Sequence, residues 1–541
     1  MAGKLKKLSI AFYWHFYQPV YGIKKDSDYI MPWSRLHAVK DYMSMLMLAK
    51  KFRNIKININ ISPTLLDDFE KYSDNNFHDI HSRLSVKDEN LLTDEEKKFI
   101  LSNFFDANFE NMILPDKQYL LLAQKFQKNP DINSFSKEEY SDLMALFNLA
   151  WINPVHYGKY PELKKLKKKG CNYTLEDRRK IIQIHRDIIK RIIPEMKKML
   201  KSGKIELTTN PYYHPVMPIL IDSSDTIQTA NDDTPKDIEM KKSAKAQIIS
   251  SISRFYEVFN TVPKGIWLPE LAISLKTVKL LTELGINWII ADESCLVNSA
   301  KEILTRDFDA NLENPYPLLK TYSYKTSNGD IRILFRDSLF PNLINYEYPS
   351  MDTIHSSNDF YDRLKIIQGK IQSSPDETHL LTIALDGENC WEMYKNYGND
   401  FLEKVYKAIN NDSTLETVLI SEYNSKDKHI KTMNTIKAGT QNSQNFSFWI
   451  DEPLKNKAWD YLKKVRDDLE ICAKRRSKNA NLHNAFREFF IAQASDWFWW
   501  YGEPNHSGHD NVFDYMFRTH LKNVYSSLNI EPPEYLDEPI S

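Results

Sequence analysis

The sequence predicts an α/β fold in which parallel strands alternate with helices. Seven short segments rich in β-branched or aromatic residues are typical of buried strands, and helical patterns lie between most of them. Alternation on this scale favours parallel βαβ units, assembled either as a barrel or as a heavily decorated doubly wound sheet. The predicted strands are Leu8 to His15, Ile55 to Ile61, Lys204 to Thr209, Gly265 to Leu268, Trp288 to Ala291, Ile331 to Phe335 and His379 to Leu385.

The helical patterns predict two domains. Residues 1–395 contain all seven predicted strands, and a mainly helical stretch at about 70–175 is interpreted as an insertion between barrel units. Residues 396–541 are predicted to form a helical C-terminal domain. The clearest helical patterns are Leu36 to Phe52, Leu175 to Leu200, Ala244 to Phe259, Leu275 to Leu284, Lys455 to Lys474 and Leu482 to Phe498.

Composition excludes several classes of partner. The formal net charge of -1 gives no electrostatic reason to expect nucleic acid or an anionic membrane. No apolar run approaches the ~18–20 residues needed to span a bilayer. The short apolar stretch that follows the basic start carries His15 and Gln18 and is interpreted as a first strand rather than a signal peptide. The four cysteines are far apart and form no paired motif, so we expect reduced thiols and a cytoplasmic protein.

Polar side chains follow most of the predicted strands. Because the C-terminal ends of parallel strands open on one side of a barrel, these side chains are expected to share one catalytic mouth. The strand-end residues are His15, Asn210, His214, Glu270, Asp292, Arg336, Asp337 and Asp386.

Glu270 and Asp386 are the strongest catalytic candidates. Each carboxylate alone has an ordinary interpretation, as a helix-start residue, an N-cap or a turn residue. Together they occupy equivalent places at the ends of two strands, and two carboxylates are what cleavage of a glycosidic bond requires. In a retaining glycosidase the two groups stand ~5–5.5 Å apart, one as nucleophile and one as acid and then base.

Three further segments carry candidate binding residues. His15 is followed by Gln18 and Pro19, which give its loop a fixed polar wall, and His214 lies in a loop stiffened by two prolines. The aromatic run from 496 to 503 is interpreted either as a core helix or as a lid over the strand ends.

A catalytic metal is the alternative that the residues leave open. His506, His509 and Asp510 offer three ligands, and His15 with the strand-end aspartates offers others. No HExxH or paired-cysteine spacing is present, so neither a metal nor another cofactor is predicted.

Five segments in order resemble glycoside hydrolase family 57, which contains α-amylases, amylopullulanases and 4-α-glucanotransferases. Supporting matches lie at 32–42, 148–151 and 335–337, so the resemblance runs from about residue 8 to about 520. The five segments are His15-Phe16-Tyr17-Gln18-Pro19, Glu206 to Pro215, Trp267-Leu268-Pro269-Glu270, Leu385-Asp386-Gly387-Glu388-Asn389 and Ser495 to Gly502.

The resemblance implies a (β/α)7 barrel followed by a mainly α-helical domain that contributes to the active-site cleft. It implies a retaining, metal-free mechanism in which Glu270 is the nucleophile and Asp386 the acid and base. The substrate-binding candidates are His15, Gln18, His214, Trp267, Arg336, Glu388, Trp391, Asp496 and Trp497.

Three departures from the family pattern affect the cleft. Tyr17 stands where the first motif usually carries a second histidine, and 338–342 are less acidic than the family pattern. Pro504 and Asn505 stand directly before His506, where relatives often have acidic residues. These changes are expected to alter linkage choice and leave the chemistry intact.

The predicted function is therefore an α-amylase-like hydrolase of α-1,4-glucans that works through a covalent glycosyl-enzyme. The alternatives are a 4-α-glucanotransferase, or amylopullulanase or branching activity on the same scaffold. A metal-dependent carbohydrate deacetylase and a non-catalytic glucan-binding protein are rivals from other classes. The expected partner is an α-glucan substrate, and the oligomeric state stays open.

Overall fold

All seven predicted strands are present in the structure, a computed structural model. It describes residues 5–24, 27–226, 235, 237–388, 390–441, 446–475 and 481–540. The strands are β1 (Leu8–Phe16), β2 (Ile57–Ile61), β3 (Ile205–Thr208), β4 (Gly265–Ile266), β5 (Trp288–Asp292), β6 (Tyr322–Thr326), β7 (Gly329–Arg336), β8 (Leu380–Asp386), β9 (Leu415–Thr417) and β10 (Lys431–Met433). Three further strands, β6, β9 and β10, thus accompany the seven.

Seven of these strands close into a parallel barrel. β1 pairs with β2 on one side and β8 on the other, and parallel pairs continue from β2 to β3, β4 to β5, β5 to β7 and β7 to β8. The remaining gap, between β3 and β4, is bridged in parallel by Thr209 and Ile266. The Trp267 N–H also donates to the Thr209 carbonyl at 2.9 Å. The predicted (β/α)7 barrel is thereby confirmed, and the doubly wound sheet is excluded.

Helices surround the barrel, fill the predicted insertion and dominate the last part of the chain. The α-helices are Trp33–His37, Met43–Lys50, Pro63–Ser73, Ile80–Ser85, Asp94–Asn103, Lys117–Lys128, Lys137–Ala150, Pro161–Lys169, Leu175–Ile189, Ile192–Lys201, Met217–Ile221, Lys241–Phe259, Leu275–Glu283, Glu293–Ala300, Leu339–Asn342, Thr353–Lys370, Asn399–Asn411, Ile420–Lys426, Pro453–Arg475, Asn481–Ile491, Ser495–Trp500 and Asp510–Ser527. No helix in the described ranges is long and apolar enough to cross a membrane.

Two predicted helices are each broken into two. The pattern from 175 to 200 is interrupted after Ile189, because Pro194 has no N–H to donate to the carbonyl four residues earlier. The pattern from 482 to 498 is interrupted after Ile491, whose carbonyl accepts the Trp497 indole N–H at 2.9 Å instead of a helical bond. The second break turns the segment 495–500 toward the barrel.

The chain beyond 396 returns to the barrel instead of forming helices alone. β9 pairs in parallel with β1, and β10 pairs with β6. From the helix Ile420–Lys426, Ile420 and Tyr423 pack against the side chains that fill the barrel interior. The division into domains at 395 therefore stays a prediction.

Candidate active site

A cavity of about 940 Å³ lies at the C-terminal ends of the barrel strands, where the polar strand-end residues were expected to meet. Residues from the barrel, the insertion and the chain beyond 440 all contribute to its wall. The predicted site residues that line it are His15, Gln18, His214, Trp267, Glu270, Arg336, Asp386, Glu388 and Asp496.

Strand register places Asp386 beside His15. The two residues pair across β1 and β8 at the last position of β8. The next residue, Gly387, donates its N–H to the His15 carbonyl at 2.8 Å. A Cβ on Gly387 would overlap the ring of Phe16, so only glycine allows the chain this close after Asp386. The turn that follows Asp386 is thereby fixed against β1.

Glu270 is held in an uncommon backbone conformation. Its φ of 60° and ψ of 19° lie in the left-handed region, and Leu271 follows with φ of 48°. Such a conformation costs ~1–3 kcal/mol and persists where the surrounding structure enforces it. Ser495 donates to Oε1 at 2.9 Å and Gln441 donates to Oε2 at 3.1 Å. Groups beyond residue 440 therefore orient a carboxylate that the barrel delivers.

The acidic groups of the cavity influence one another. Burial and the charge of Asp386 raise the pKa of Glu270 to about 8, although the Ser495 hydrogen bond opposes the shift. Burial, followed by the charges of Asp386 and Asp41, raises the pKa of Glu388 well above its usual range. Burial also raises the pKa of Asp496 to about 6. Near neutral pH the pair of Glu270 and Asp386 therefore retains a proton, and the uncharged form of Glu388 is favoured.

His15 and His214 face each other beside this pair. Their Nε2 atoms are 3.0 Å apart, and burial lowers the pKa of both rings, so both are neutral at physiological pH. The ring of His15 stacks on Trp267 with centroids 4.4 Å apart and planes 7° apart. The two histidines are thus fixed, uncharged parts of the cavity wall.

Tyr17, the departure from the family pattern, supports Asp496. Its hydroxyl donates to the Asp496 carboxylate, and its ring stacks on His214 with centroids 3.8 Å apart. The tyrosine therefore joins the first barrel strand to the helix Ser495–Trp500 across the cavity.

Gln18 and Glu388 form a second polar wall. The Gln18 amide and the Tyr17 N–H each reach Glu388 Oε1 at 3.3 Å. The other oxygen, Oε2, is buried with no hydrogen-bond partner among the described residues. A buried polar atom of this kind calls for a partner, and a substrate hydroxyl can supply one.

Arg336 is a positively charged residue of the cavity wall that was predicted from the sequence to bind substrate. Its Nε donates to Asp292 at 2.8 Å, and its Nη1 donates to the Ala384 carbonyl at 3.2 Å. Both bonds hold the guanidinium across the ends of β5, β7 and β8.

Trp391 and Trp497, predicted to shape subsites, are placed in the core and do not line the cavity. The Trp391 indole donates to the Gly387 carbonyl at 2.8 Å, so it supports the turn after Asp386 from behind. Trp497 is buried against the rings of Phe513 and Phe517. The tryptophans that line the cavity, besides Trp267, are Trp33, Trp151, Trp499 and Trp500.

The alternative metal ligands are engaged with one another or with carboxylates. His506 contacts Asp510 at 3.1 Å, and His509 contacts Asp106 at 3.1 Å. Among the residues for which the structure gives positions, no group of three His, Cys, Asp or Glu side chains is arranged to hold a metal ion.

Three residues that orient the predicted site residues were not themselves identified from the sequence. Asn60 lies in register with His15 on β2 and donates to its Nδ1 at 2.7 Å. The sequence does contain a pattern that could have identified Asn60, because asparagine alternates with isoleucine along an otherwise apolar buried strand. Ser495 and Gln441 gave no such signal, since both lie outside regular strands and reach Glu270 only through tertiary folding.

Comparison with known proteins identifies the family. The model of glycosyl hydrolase family 57 matches residues 11–438. Alpha-amylase 1 of Dictyoglomus thermophilum is 29% identical over 101 residues, which are 18% of this chain and 12% of the amylase. The chain therefore matches only a small part of that relative's length.

Solved structures share the fold at low sequence identity. A GH57 branching enzyme from Thermococcus kodakaraensis is 15% identical with a TM-score of 0.59, covering 96% of this chain and 90% of its own. The alpha-amylase AmyC from Thermotoga maritima is 14% identical with a TM-score of 0.56, covering 97% and 94%. A 4-alpha-glucanotransferase from Thermococcus litoralis is 13% identical with a TM-score of 0.52, covering 97% and 60%. The family match spans most of the chain, and the barrel and its strand-end carboxylates agree with it: the chain belongs to glycosyl hydrolase family 57.

Proposed function

We propose that this protein is a retaining, α-amylase-like enzyme that cleaves α-1,4-glucans. Glu270 is the nucleophile and Asp386 the acid and base in this proposal. The main supporting observation is that these two carboxyl groups, at the ends of two strands, line the same cavity. The charge of Asp386 contributes to the raised pKa of Glu270. The named activities of the branching enzyme, amylase and glucanotransferase support an α-glucan as the substrate.

In the first step the ionised Glu270 carboxylate attacks the anomeric carbon. The glycosidic C–O bond breaks as Asp386 gives its proton to the departing oxygen, and a glycosyl ester forms on Glu270. In the second step the Asp386 carboxylate takes a proton from water, and the water oxygen attacks the anomeric carbon. Glu270 leaves as a carboxylate, and the configuration of the product matches that of the substrate.

The wall of the cavity is suited to a chain of pyranoses. Each pyranose has apolar C–H faces that the rings of Trp33, Trp151, Trp499 and Trp500 can cover. Between the rings, hydroxyls can reach Gln18, Arg336, Asp496 and Glu388, while His15 and His214 border the reacting sugar.

Hydrolysis and transfer share the covalent intermediate and differ in what attacks it. Incubation of maltoheptaose with the enzyme, followed by sizing of the products, separates the two activities. Amylase-like hydrolysis predicts shorter chains only, with one new reducing end for each bond cleaved. Chains longer than the substrate would instead identify a 4-α-glucanotransferase, and new α-1,6 linkages would identify a branching enzyme.

The proton shared by the pair predicts a fall in activity on the alkaline side. Glu270 and Asp386 must hold one proton between them, and the raised pKa of Glu270 places loss of the last proton near pH 8. We expect kcat/KM for an unactivated maltooligosaccharide to be maintained below this pH and to fall about tenfold per pH unit above it. An aryl maltooligosaccharide whose leaving group needs no proton should escape most of the decline. A constant kcat/KM up to pH 10 for the unactivated substrate would contradict the shared proton.

A further inference from the structure

A continuous series of hydrogen bonds runs through the barrel end to Glu270. It starts at the Pro211 carbonyl, which can only accept, so the Asn210 amide nitrogen donates to it at 2.8 Å. The Asn210 Oδ1 is therefore an acceptor, and it faces the Asn60 amide nitrogen at 3.0 Å. That nitrogen also reaches His15 Nδ1 at 2.7 Å. The orientation of both amides is thus fixed by one backbone carbonyl.

The orientation of Asn60 decides the tautomer of each histidine. Because His15 Nδ1 accepts from Asn60, its proton is on Nε2, and Nε2 donates to His214 Nε2 at 3.0 Å. The proton of His214 is then on Nδ1, which donates to the Ser495 hydroxyl oxygen at 3.0 Å. The Ser495 hydrogen is left to donate to Glu270 Oε1 at 2.9 Å. From the Asn60 contact with His15 onward, every proton in the series therefore points toward the nucleophile.

The reverse direction is blocked at Asn60. If His15 carried its proton on Nδ1, two N–H groups would face each other at 2.7 Å. Asn60 is fully buried, so water cannot relieve that conflict. The Oδ1 atom of Asn60 has no hydrogen-bond partner among the described residues, which shows that the amide is held as a donor at the expense of its oxygen.

We infer that Asn60 is a positioning residue that acts through His15, His214 and Ser495 to keep a hydrogen-bond donor on the ionised Glu270 carboxylate. Asn60 touches neither the substrate nor Glu270. Reversal of the series would turn the Ser495 hydroxyl toward His214 and leave Gln441 as the side-chain donor to Glu270. The inference deepens the proposed function and rests on it.

The donor matters because the other groups that face Glu270 disfavour its charge. The negative charges of Asp386 and Asp496 and the burial of Glu270 all disfavour its ionised form. The nearby Tyr17 hydroxyl donates to Asp496 and therefore does not serve as a donor to Glu270. Ser495 and Gln441 are the side chains that favour the ionised form. Loss of the Ser495 donor is therefore expected to shift ionisation of Glu270 to higher pH.

The test measures ionisation of the nucleophile directly. A fluorinated α-glucosyl fluoride transfers its sugar to the nucleophile and releases fluoride without needing an acid, and the ester is hydrolysed slowly. The rate of covalent labelling is followed against pH by intact mass spectrometry, and the labelled residue is identified by peptide mapping. We expect Ser495→Ala to move the half-maximal rate to higher pH by about one unit or more. Asn60→Leu should move it in the same direction.

The double variant Ser495→Ala with Asn60→Leu tests whether Asn60 affects the ionisation of Glu270 through Ser495 or independently of it. In the Ser495→Ala background, Asn60→Leu should change the midpoint by less than about 0.3 unit, because the link it controls is already broken. Ser495→Thr keeps a hydroxyl and should restore the wild-type midpoint. Thr208→Val is the matched control, because Thr208 is buried and in register with Asn60 but bonds to Tyr13 outside the series. It should leave the midpoint unchanged.

The outcomes are distinguishable. If Asn60→Leu does not fold, Asn60→Asp keeps the shape, accepts a proton from His15 and should give the same upward shift. Labelling of Glu270 with an unshifted midpoint in the folded Asn60 variant overturns the inference, as does a shift that adds fully to that of Ser495→Ala. Labelling of a residue other than Glu270 overturns the proposed function instead.

Discussion

Replacement of Glu270 by glutamine is expected to reduce turnover of a maltooligosaccharide by at least about 10³-fold. The amide keeps the shape of the side chain but cannot form the glycosyl ester, so the first chemical step loses its nucleophile. A loss of this size corresponds to about 4 kcal/mol of transition-state stabilisation. The measurement is the initial rate of reducing-end formation, with the melting temperature recorded to show that the fold is intact.

Glu388→Gln is the matched control for this substitution. Glu388 is a buried carboxyl in the same cavity, and burial with the neighbouring charges of Asp386 and Asp41 raises its pKa well above its usual range, which favours the uncharged form. Glutamine has nearly the same shape as glutamic acid and carries no charge, so the loss should stay within about tenfold. Equal losses in the two variants would mean that the acidic cluster as a whole, and not Glu270, is required.

Replacement of Asp386 by asparagine is expected to produce a comparable loss, of at least about 10³-fold, on an unactivated maltooligosaccharide. The asparagine cannot give a proton to the departing oxygen or take one from water. With an aryl leaving group that needs no proton, formation of the ester should be largely retained while its hydrolysis is slow. A burst of the released aryl alcohol, followed by a slow steady rate, should therefore appear with the variant.

The contrast between the two substrates distinguishes an acid from a nucleophile. Glu270→Gln should be as inactive toward the aryl substrate as toward the unactivated one, because both need the ester. Equal losses on both substrates in Asp386→Asn, with no burst, would remove Asp386 from the role of acid and base.

The strands of the barrel could be predicted because each is a short apolar run with a distinct end. The strand patterns alone could not predict barrel closure, because the contact between β3 and β4 is a single bridge from Thr209 to Ile266. The break after Ile491 was also hidden, since it depends on the Trp497 indole occupying a backbone carbonyl. The return of β9 to β1 depends on three residues, too few to give a pattern.

Glu270 and Asp386 were predictable from their position at strand ends, whereas the aromatic residues of the cavity, apart from Trp267, were not. In the segment 495–500, Asp496, Trp499 and Trp500 line the cavity while Trp497 is turned into the core. The sequence shows one aromatic run and does not show which face the helix presents. Trp391 follows the catalytic turn closely enough to suggest a subsite, but its indole N–H is used by the Gly387 carbonyl.

The measurement that tests the central claim most directly is the position of the covalent sugar after the enzyme reacts with the fluorinated α-glucosyl fluoride. We expect one glucosyl residue per chain, attached to the Glu270 carboxylate and absent from the Glu270→Gln variant. Attachment to another side chain, or rapid release of fluoride with no adduct and formation of the β anomer, would contradict it.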